Sequence, residues 1–313
     1  MSETSDLLAA VDLPTLPHAG MIAVVGRANV GKSSLTNKML GEKLSIVSPV
    51  AQTTRNIIRG ILTDQRGQLV LVDTPGLHKA PGELGKVMNR LARSSVEGVD
   101  AIMLVIDVAE IPRDEDEGWM LRLARQELPV VIVFNKIDLG GKHEAAYRER
   151  WQQVVTRTES KVEPMWMKVS AESGEGVDEL ASALFDKLPP GPALFPEDML
   201  SDFPRRLTIA DVIREKLFGE LREELPHAIA VWVEQLDESE EGWTAKTMIY
   251  VNKYSQKGIV IGEKGRRLRK VKRSSERELQ NMYETPVKLD LWVKVEKDWS
   301  KNFWLLKKFG YVG

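Results

Sequence analysis

The sequence predicts an α/β domain with a mostly parallel sheet, followed by a smaller α+β domain. Up to residue 188, short apolar runs alternate with helical patterns, which is typical of a parallel sheet with helices on both faces. Residues 188–204 contain five prolines, which favour a semi-extended linker. Beyond them the element order changes to α-β-β-α-α-β. We therefore expect a loose arm over 1–19, the α/β domain over 20–188, a linker over 189–204 and the α+β domain over 205–313.

The apolar runs and helical patterns give each element its expected place. In the α/β domain, strands are predicted at 21–26, 57–63, 68–73, 101–107, 129–136 and 164–170, and helices at 31–40, 83–97, 114–127, 142–157 and 177–187. In the second domain we expect a helix at 205–222, strands at 227–236 and 243–252 around a polar turn at 237–242, two helices around a glycine loop, and a strand at 286–295. A short C-terminal helix, with Asp298 as its N-cap, is expected to pack on the sheet of this domain.

The composition excludes several classes of protein. Of 313 residues, 42% are apolar and 29% are charged, as in soluble globular proteins. The absence of cysteine excludes a disulfide framework, a thiolate metal site and a cysteine nucleophile. No apolar run approaches the ~18–20 residues of a membrane span, and the acidic N-terminus lacks the basic region of a signal peptide. We expect a cytoplasmic protein.

The near-neutral net charge of −2 conceals an uneven distribution. Residues 245–313 hold 17 basic and 7 acidic residues, whereas residues 1–244 hold 27 basic and 39 acidic ones. A basic block on an acidic chain indicates a site for a polyanion at one end of the molecule. The glycines inside the block favour nucleic acid over a merely solvated helix face.

A phosphate-binding pattern follows the first predicted strand. Residues 26–33 (GRANVGKS) have the GxxxxGK[ST] spacing between a strand and a helix. Glycines there allow backbone amides to surround phosphate oxygens at the helix N-terminus. Lys32 supplies positive charge to the outer phosphates, and Ser33 offers a hydroxyl to Mg²⁺. The motifs that follow make the alternative, an ordinary glycine-rich turn, less favoured.

Two further segments offer groups to the same phosphates. Residues 73–76 (DTPG) end an apolar strand, where Asp73 can hold magnesium through water and the Gly76 amide can meet a γ-phosphate. Between the two motifs lies the polar segment 48–55 (SPVAQTTR). Thr54 is our first choice for a hydroxyl that closes on magnesium, and Thr53 is the second. Two ordinary loop threonines remain the alternative.

A separate motif indicates which base is bound. Residues 135–138 (NKID) end the strand predicted at 129–136. The Asp138 carboxylate can accept both N–H groups of guanine, whereas a mismatched adenine would leave a buried acid unpaired. Asn135 and Lys136 would brace the base pocket. After the last strand, Ser170 and Ala171 could present a backbone amide to the guanine oxygen.

Together these motifs resemble a GTPase domain covering about residues 20–188. The resemblance implies that Ser33, Thr54 and Asp73 hold Mg²⁺. It assigns catalytic roles to Lys32, Thr54, Gly76 and Asn29. It also implies a GTP/GDP site formed by Gly26, Arg27, Ala28, Asn29, Val30, Gly31, Lys32, Ser33, Ser34, Asp73, Thr74, Pro75, Gly76, Asn135, Lys136, Asp138, Ser170 and Ala171.

Two positions narrow the mechanism that this resemblance implies. Leu77 stands where Ras-type enzymes carry the glutamine that orients the attacking water, and a leucine cannot hydrogen-bond water. Slow intrinsic turnover is therefore expected. In a related group of GTPases, an asparagine at the position of Asn29 coordinates potassium beside the phosphates, which implies a potassium-assisted reaction here. The alternative is a loop asparagine that stabilises a turn.

The basic block resembles a type II KH domain over about residues 205–295. Residues 262–265 (GEKG) join two predicted helices, and glycines at both ends let a nucleic-acid backbone approach closely. Trp292 in the last strand alternates with apolar residues and is expected in the core rather than as a stacking platform. Glu263 departs from the neutral or basic residues usual in this loop. The resemblance implies that single-stranded RNA is bound by Lys257, Gly258, Ile259, Ile261, Gly262, Glu263, Lys264, Gly265, Arg266, Arg267, Arg269 and Lys270.

A GTPase domain followed by a type II KH domain resembles the Era family of bacterial GTPases. The resemblance covers about residues 20–313, including the tail LWVKVEKDWSKNFWLLKKFGY. It implies binding to the single-stranded 3′ region of 16S rRNA and assistance in assembly of the 30S ribosomal subunit. GTP would order the loop around Thr54 and the segment 73–78, repack the domain interface and expose the basic face. A monomer is expected, because nothing in the sequence demands a dimer.

Two other functions stay open at this point. Leu77 favours an RNA chaperone that binds GTP as a ligand and hydrolyses it negligibly. The basic tail favours a peripheral GTPase with weak contact to the inner face of the plasma membrane. Both alternatives keep the same two nucleotide- and RNA-binding patterns.

Overall fold

The computed structural model describes residues 15–48, 54–76, 83–221 and 225–311. The first domain is an α/β layer structure, as the sequence predicts. Its elements are β1 (Thr15–Leu16), β2 (His18–Val25), α1 (Lys32–Leu40), β3 (Ile58–Asp64), β4 (Gly67–Asp73), α2 (Glu83–Ser94), β5 (Ala101–Asp107), α3 (Asp114–Leu123), β6 (Val130–Asn135), α4 (Glu144–Thr158), β7 (Met165–Lys168) and α5 (Val177–Phe185).

Six of these strands form one sheet in the order β3-β4-β2-β5-β6-β7. Only β3 is antiparallel to its neighbour; the other pairs are parallel. Helices α1 and α5 pack on one face, and α2, α3 and α4 pack on the other. Because both faces are covered, β4, β5 and β6 are buried along their whole length, which explains their continuous apolar runs.

The second domain places helices and the C-terminal tail on opposite faces of a three-stranded sheet. After the short linker strand β8 (Gly191–Pro192), the elements are α6 (Arg205–Glu220), β9 (Ile229–Ser239), β10 (Gly242–Val251), α7 (Tyr254–Ile261), α8 (Arg266–Tyr283), β11 (Val287–Val295) and α9 (Phe303–Lys308). The strand order is β11-β10-β9, with β9 antiparallel and β11 parallel to β10. Helices α6 and α8 pack on one face.

The predicted loose arm over 1–19 is wrong from Thr15 onward. β1 pairs antiparallel with β8, so the linker and the segment before the sheet form a small ladder of their own. β2 then begins at His18, three residues before the predicted start. Backbone pairing between segments that lie far apart in the chain leaves no local sequence signal, which is why the prediction placed the boundary too late.

Three predictions about the second domain are also wrong. The polar turn at 237–242 is shorter than expected, because β9 extends to Ser239 and β10 begins at Gly242. Asp298 has a left-handed φ of 56° and does not cap α9. Instead Asn302 caps α9, with its side-chain oxygen accepting from the backbone N–H groups of Trp304 and Leu305.

The third wrong prediction placed Trp292 in the core, whereas its side chain is 56% exposed. Along β11 the buried face is formed by Val287, Leu289 and Val293. Trp292 lies on the opposite face, in phase with Asp290, whose carboxylate accepts a hydrogen bond from the indole N–H at 2.8 Å. The alternation of side chains between the two faces of β11 was predicted correctly, but Trp292 was assigned to the wrong face.

The C-terminal tail packs on the sheet of the second domain, as expected, and it also reaches the first domain. Trp299 is fully buried, and its indole N–H donates to the carbonyl of Ala228 at 2.9 Å. The tail residues Leu306, Phe309 and Tyr311 surround it. The same cluster contains Ala230 and Tyr250 of the sheet together with Leu84 and Met88 of α2.

Gln68 fixes the linker to the first domain. Its fully buried side-chain oxygen accepts from the backbone N–H groups of Leu194 and Phe195, at 2.7 and 2.9 Å. Its amide nitrogen donates to the Phe195 carbonyl at 2.8 Å. One side chain therefore satisfies three backbone groups of the proline-rich linker.

We expect Gln68→Leu to lower the free energy of unfolding by about 1–3 kcal/mol, because it leaves backbone groups without partners. Urea unfolding at fixed temperature measures the change. The matched control is Gln153→Leu on the exposed face of α4, where we expect a change within about 0.5 kcal/mol. Equal midpoints for the two variants would contradict the role assigned to Gln68.

Candidate functional site

The carboxyl ends of β2, β4 and β6 meet at one edge of the sheet, and the predicted motifs follow them there. The phosphate-binding pattern runs from β2 into α1. Gly26 has φ of 148°, and a Cβ there would lie 2.4 Å from the carbonyl oxygen of Val105. Gly31 has φ of 95°, and a Cβ would lie 2.3 Å from the side-chain nitrogen of Asn135. Both positions therefore require glycine.

These motifs enclose a cavity of about 360 Å³. Most of its wall comes from the phosphate-binding loop and from the segment after α1, and the predicted groups Thr54, Gly76 and Lys136 close it. The full lining is Ala28, Asn29, Gly31, Lys32, Ser33, Ser34, Ile46, Val47, Ser48, Thr54, Gly76 and Lys136.

Lys32 is buried at the floor of this cavity. Its Nζ donates to the carbonyls of Gly26 and Arg27, at 3.3 and 2.9 Å. Burial lowers the pKa of Lys32 to about 8, and the nearby carboxylate of Asp73 opposes that shift. A Cβ on Gly76 would lie 2.9 Å from this Nζ and 2.6 Å from the Cα of Ala28. Gly76 therefore lies directly against the phosphate-binding loop.

The three residues predicted to hold magnesium lie together. The Ser33 hydroxyl donates to Oδ2 of Asp73 at 2.7 Å and is 2.9 Å from the Thr54 hydroxyl. Burial raises the pKa of Asp73, while Lys32 acts against that shift. Oδ1 of Asp73 is buried and has no hydrogen-bond partner within the described ranges. Two hydroxyls beside such a carboxylate are hard oxygen donors, so these residues fit Mg²⁺.

Ser45 is a member of this cluster that sequence reasoning missed. Its hydroxyl is fully buried and donates to Oδ2 of Asp73 at 2.9 Å. The side chain of Asn37 in α1 holds the backbone around Ser45, accepting from the Ser45 N–H at 2.9 Å and donating to the Ser45 carbonyl at 2.8 Å. A single serine in a loop carries no motif, so only the fold reveals its contact.

The base-binding motif is connected to the phosphate-binding loop by two side chains. Asn135 donates to the carbonyl of Val30 at 2.9 Å. Lys136 donates from Nζ to the carbonyl of Asn29 at 2.9 Å and to Asp107 at 2.6 Å. The two motifs therefore hold each other in place.

Asp138 and Ser170 are in contact, and the Ala171 amide contacts Asn135. Asp138 lies in a 3₁₀ turn after β6, and its Oδ1 accepts from the Ser170 hydroxyl at 2.5 Å. The N–H of Ala171, one of the two backbone amides that could face the guanine oxygen, donates to Oδ1 of Asn135 at 3.0 Å. In this structure that amide supports the base-binding motif.

Several predicted nucleotide-binding residues offer only their backbone. The Arg27 guanidinium pairs with Glu110 at 2.9 Å and with Asp116 at 3.4 Å. Thr74 donates its hydroxyl to a carbonyl of β2, and Val30 and Pro75 are buried. Thr53, the second choice for a magnesium ligand, and Leu77 lie outside the described residues.

The predicted nucleic-acid loop joins α7 to α8. Gly262 and Gly265 have φ of 71° and 74°, in the left-handed region that favours glycine. Arg267 donates from its guanidinium to the carbonyl of Ile259, which ties the start of α8 to α7. Glu263, the unusual loop residue, pairs loosely with Arg266 at 3.7 Å on the surface. Ile259 is about half exposed.

A groove of about 770 Å³ runs along α8, and we call it the basic groove. Its residues recur every three or four positions, which places them on one side of the helix. Sequence reasoning missed Arg277 and Lys216; the latter comes from α6 and carried no signal. The groove is lined by Lys216, Arg266, Arg269, Lys270, Arg273, Ser274, Arg277, Glu278 and Asn281.

The fold and these sites define a P-loop GTPase domain joined to a KH domain. A family model described as a 50S ribosome-binding GTPase matches residues 21–136, and a KH domain model matches residues 224–300. The chain is 42% identical over 297 residues to GTPase Era of Geobacter sp. strain M21, covering 94% of this chain and 98% of the relative. This chain belongs to the Era family of GTPases.

Other relatives agree with that assignment. GTPase Era of Lacticaseibacillus paracasei is 41% identical over 306 residues, covering 94% of this chain and 97% of the relative. A crystal structure of Aquifex aeolicus Era bound to GDP·AlF4⁻ matches with a TM-score of 0.86 at 35% identity, covering 95% of this chain and all of that one. Era in complex with MgGDPNP and nucleotides 1506–1542 of 16S ribosomal RNA matches with the same score and identity, covering 95% and 99%.

Across the described ranges, none of the helices combines the length and the apolar character that crossing a membrane would require.

We expect Lys32 to take up a proton when the nucleotide binds, and we expect this uptake to increase as the pH rises. In the free protein Lys32 has a pKa of about 8, and contact with phosphate favours its charged form. Binding of Mg·GDP should take up about one tenth of a proton at pH 7 and about three quarters at pH 8.5, so the affinity falls over this range.

Isothermal titration in two buffers of different ionisation enthalpy measures this uptake. The matched control is Lys38→Met, which removes an exposed lysine from the same helix and should leave the uptake unchanged. Equal uptake at pH 7 and pH 8.5 in the unsubstituted chain would contradict the shifted pKa of Lys32.

Proposed function

We propose that this chain binds and hydrolyses GTP and that its KH domain binds the single-stranded 3′ region of 16S rRNA during assembly of the 30S subunit. The observation that carries the proposal is the cluster of Ser33, Thr54 and Asp73 above Lys32, in the same chain as a basic GxxG loop. One relative, crystallised with MgGDPNP and a 16S rRNA fragment, supports both ligands.

The nucleotide-binding residues have distinct proposed roles. Lys32 and the amides of residues 26–33 bind the phosphates, and Asp138 accepts the two guanine N–H groups. Ser33 and Thr54 hold Mg²⁺ directly, with Asp73 acting through water. When bound, the metal supplies positive charge against the β- and γ-phosphates. Gly76, which lies against Ala28 and Lys32, has no side chain and so leaves its amide free to approach the γ-phosphate.

Asn29 is the proposed potassium ligand. It lines the cavity, and its carbonyl is held by Nζ of Lys136. Its φ of 63° is a conformation that asparagine adopts more readily than most residues, which also suits the alternative of a turn-stabilising side chain. A substitution that keeps the backbone but removes the side chain separates the two roles.

The proposed RNA site consists of the GxxG loop and the basic groove. The groove's four arginines, Arg269 and Arg273 among them, are exposed, whereas Glu278 already pairs with Lys43 and Lys216. Phosphate neutralisation by such side chains gives affinity without sequence preference. The bases would be read beside Ile259 and Ile261, as KH domains read single strands.

Asn29→Gly should abolish a potassium preference in GTP hydrolysis. Glycine accepts the positive φ, so the loop conformation is kept while the proposed ligand is lost. We expect the unsubstituted chain to release phosphate at least about tenfold faster in K⁺ than in Na⁺, and Asn29→Gly to lose that ratio. A retained ratio would leave Asn29 with its structural role only. No phosphate release in either salt would favour the RNA chaperone.

The RNA proposal is tested by the affinity for a single-stranded oligonucleotide from the 3′ end of 16S rRNA. The chain is loaded with GDP or with a GTP analogue at fixed salt, and we expect tighter binding in the analogue state. In the double variant Arg269→Gln/Arg273→Gln, the slope of log affinity against log salt should become shallower by about 1.4, or about 0.7 per lost phosphate contact.

The matched control is Lys301→Gln, which removes an exposed lysine of the tail and should leave the slope unchanged. Equal slopes for all three proteins would argue against the basic groove as part of the RNA site. Sedimentation with anionic lipid vesicles in the same buffer tests the peripheral membrane alternative.

A further inference from the structure

Arg55 connects the nucleotide pocket to the second domain. It directly follows Thr54, whose hydroxyl is 2.9 Å from that of Ser33. The Arg55 side chain is fully buried, and its Nη1 donates to the carbonyl of Ile229 at 2.9 Å and to the hydroxyl of Tyr311 at 3.3 Å. Of these two adjacent residues, Thr54 therefore contacts the magnesium-binding cluster and Arg55 contacts the C-terminal tail.

The tail surrounds this guanidinium with aromatic rings. The Cζ of Arg55 lies 5.6 Å from the ring centre of Tyr311 and 5.9 Å from that of Trp299, within the range of cation–π contacts. The Tyr311 hydroxyl also accepts from Arg214 at 3.3 Å, and Arg214 pairs with Asp211 at 2.9 Å. All five side chains are buried.

Burial makes this contact conditional on the position of the tail. A guanidinium stays charged at neutral pH even though burial lowers the pKa of Arg55. If the tail or β9 moved away, Arg55 would lose its acceptors and its rings and would have to leave the apolar site. Movement of Arg55 displaces Thr54, because the two residues are joined by one peptide bond.

The same loop is attached to the second domain at its other end. Nζ of Lys43 pairs with Glu215 of α6 at 2.9 Å and with Glu278 of α8 at 2.6 Å. The backbone N–H of Val47, which lines the nucleotide cavity, donates to Glu215 at 3.3 Å. The second domain therefore holds the segment between α1 and β3 both before and after Thr54.

We propose that Arg55 is a positioning residue, which holds Thr54 over the magnesium site only while it is docked against Trp299 and Tyr311. The inference rests on the proposed magnesium role of Thr54. GDP has no γ-phosphate for Thr54 to close around, so the docked tail should favour GTP over GDP. By linkage, a bound GTP analogue should stabilise the docked tail to the same extent.

If this cluster only stabilised the fold, the result would be different. It would then stabilise the protein equally with GDP or with a GTP analogue bound. A positioning residue instead affects GTP-analogue binding, leaves GDP binding unchanged, and acts through Thr54. The test therefore compares two nucleotides and combines two substitutions.

The informative variant is Tyr311→Phe in the full chain, since it removes the shared hydroxyl and keeps the ring. We expect its affinity for a non-hydrolysable GTP analogue with Mg²⁺ to fall about tenfold, as for loss of a hydrogen bond to a charged group. Affinity for GDP should stay within about twofold. The matched control is Tyr283→Phe in α8, which has no contact with Arg55 and should change neither value.

A double-substitution cycle tests whether the effect passes through Thr54. Thr54→Ala should weaken analogue binding, and adding Tyr311→Phe should weaken it no further. Hydrogen exchange over residues 299–311 should be slower with the analogue than with GDP, and Thr54→Ala should remove that difference.

Two results would overturn the inference while leaving the nucleotide site intact. One is an equal loss of GDP and analogue affinity in Tyr311→Phe; the other is a loss that adds fully to that of Thr54→Ala. If Thr54→Ala itself leaves analogue binding unchanged, the proposed magnesium role of Thr54 fails first, and the inference fails with it.

Discussion

Two opposite charges, Lys32 and Asp73, are buried at the same edge of the central sheet, and the nucleotide pocket depends on them. Each shifts the pKa of the other toward its charged form, while burial acts in the opposite direction on both. Removing either charge from water is costly unless partners replace the lost hydration. Carbonyls of the phosphate-binding loop and the hydroxyls of Ser33 and Ser45 supply part of that replacement. Phosphates and a divalent cation have the charges that would complete it.

The same principle organises the contact between the domains. Arg55 carries its charge into a cluster of aromatic and aliphatic side chains from the C-terminal tail, the KH sheet and α2. A buried charge has few alternative positions. The tail therefore holds the Arg55 guanidinium in place as well as covering apolar surface. The tail contacts Arg55, the residue after Thr54, and it also contacts Leu84 and Met88 of α2, the helix that follows the DTPG motif. The RNA-binding and nucleotide-binding domains thus share one packed junction.

Much of the fold could be predicted because its signals are local. The strand at 101–107 was predicted with its observed bounds, and the other strands of the first domain differ at their ends by a few residues. The errors share a cause. β1, the cap at Asn302 and the phase of Trp292 depend on a distant strand, on a loop conformation and on which sheet face receives the helices. The tertiary structure also directs the Arg27 guanidinium toward Glu110 and Asp116, and the Ala171 amide toward Asn135.

The binding motifs of this protein can be recognised from sequence alone: a GxxxxGK[ST] loop, DTPG, NKID and a basic GxxG segment each lie within a few consecutive residues. Such motifs are readable because the backbone geometry of a strand–loop–helix unit is nearly fixed. Three contacts become visible only in the folded chain: Ser45 with Asp73, Lys216 with the basic groove, and Arg55 with Tyr311. These contacts join residues far apart in the chain, and their positions follow from packing and from the burial of charge, which no local pattern records.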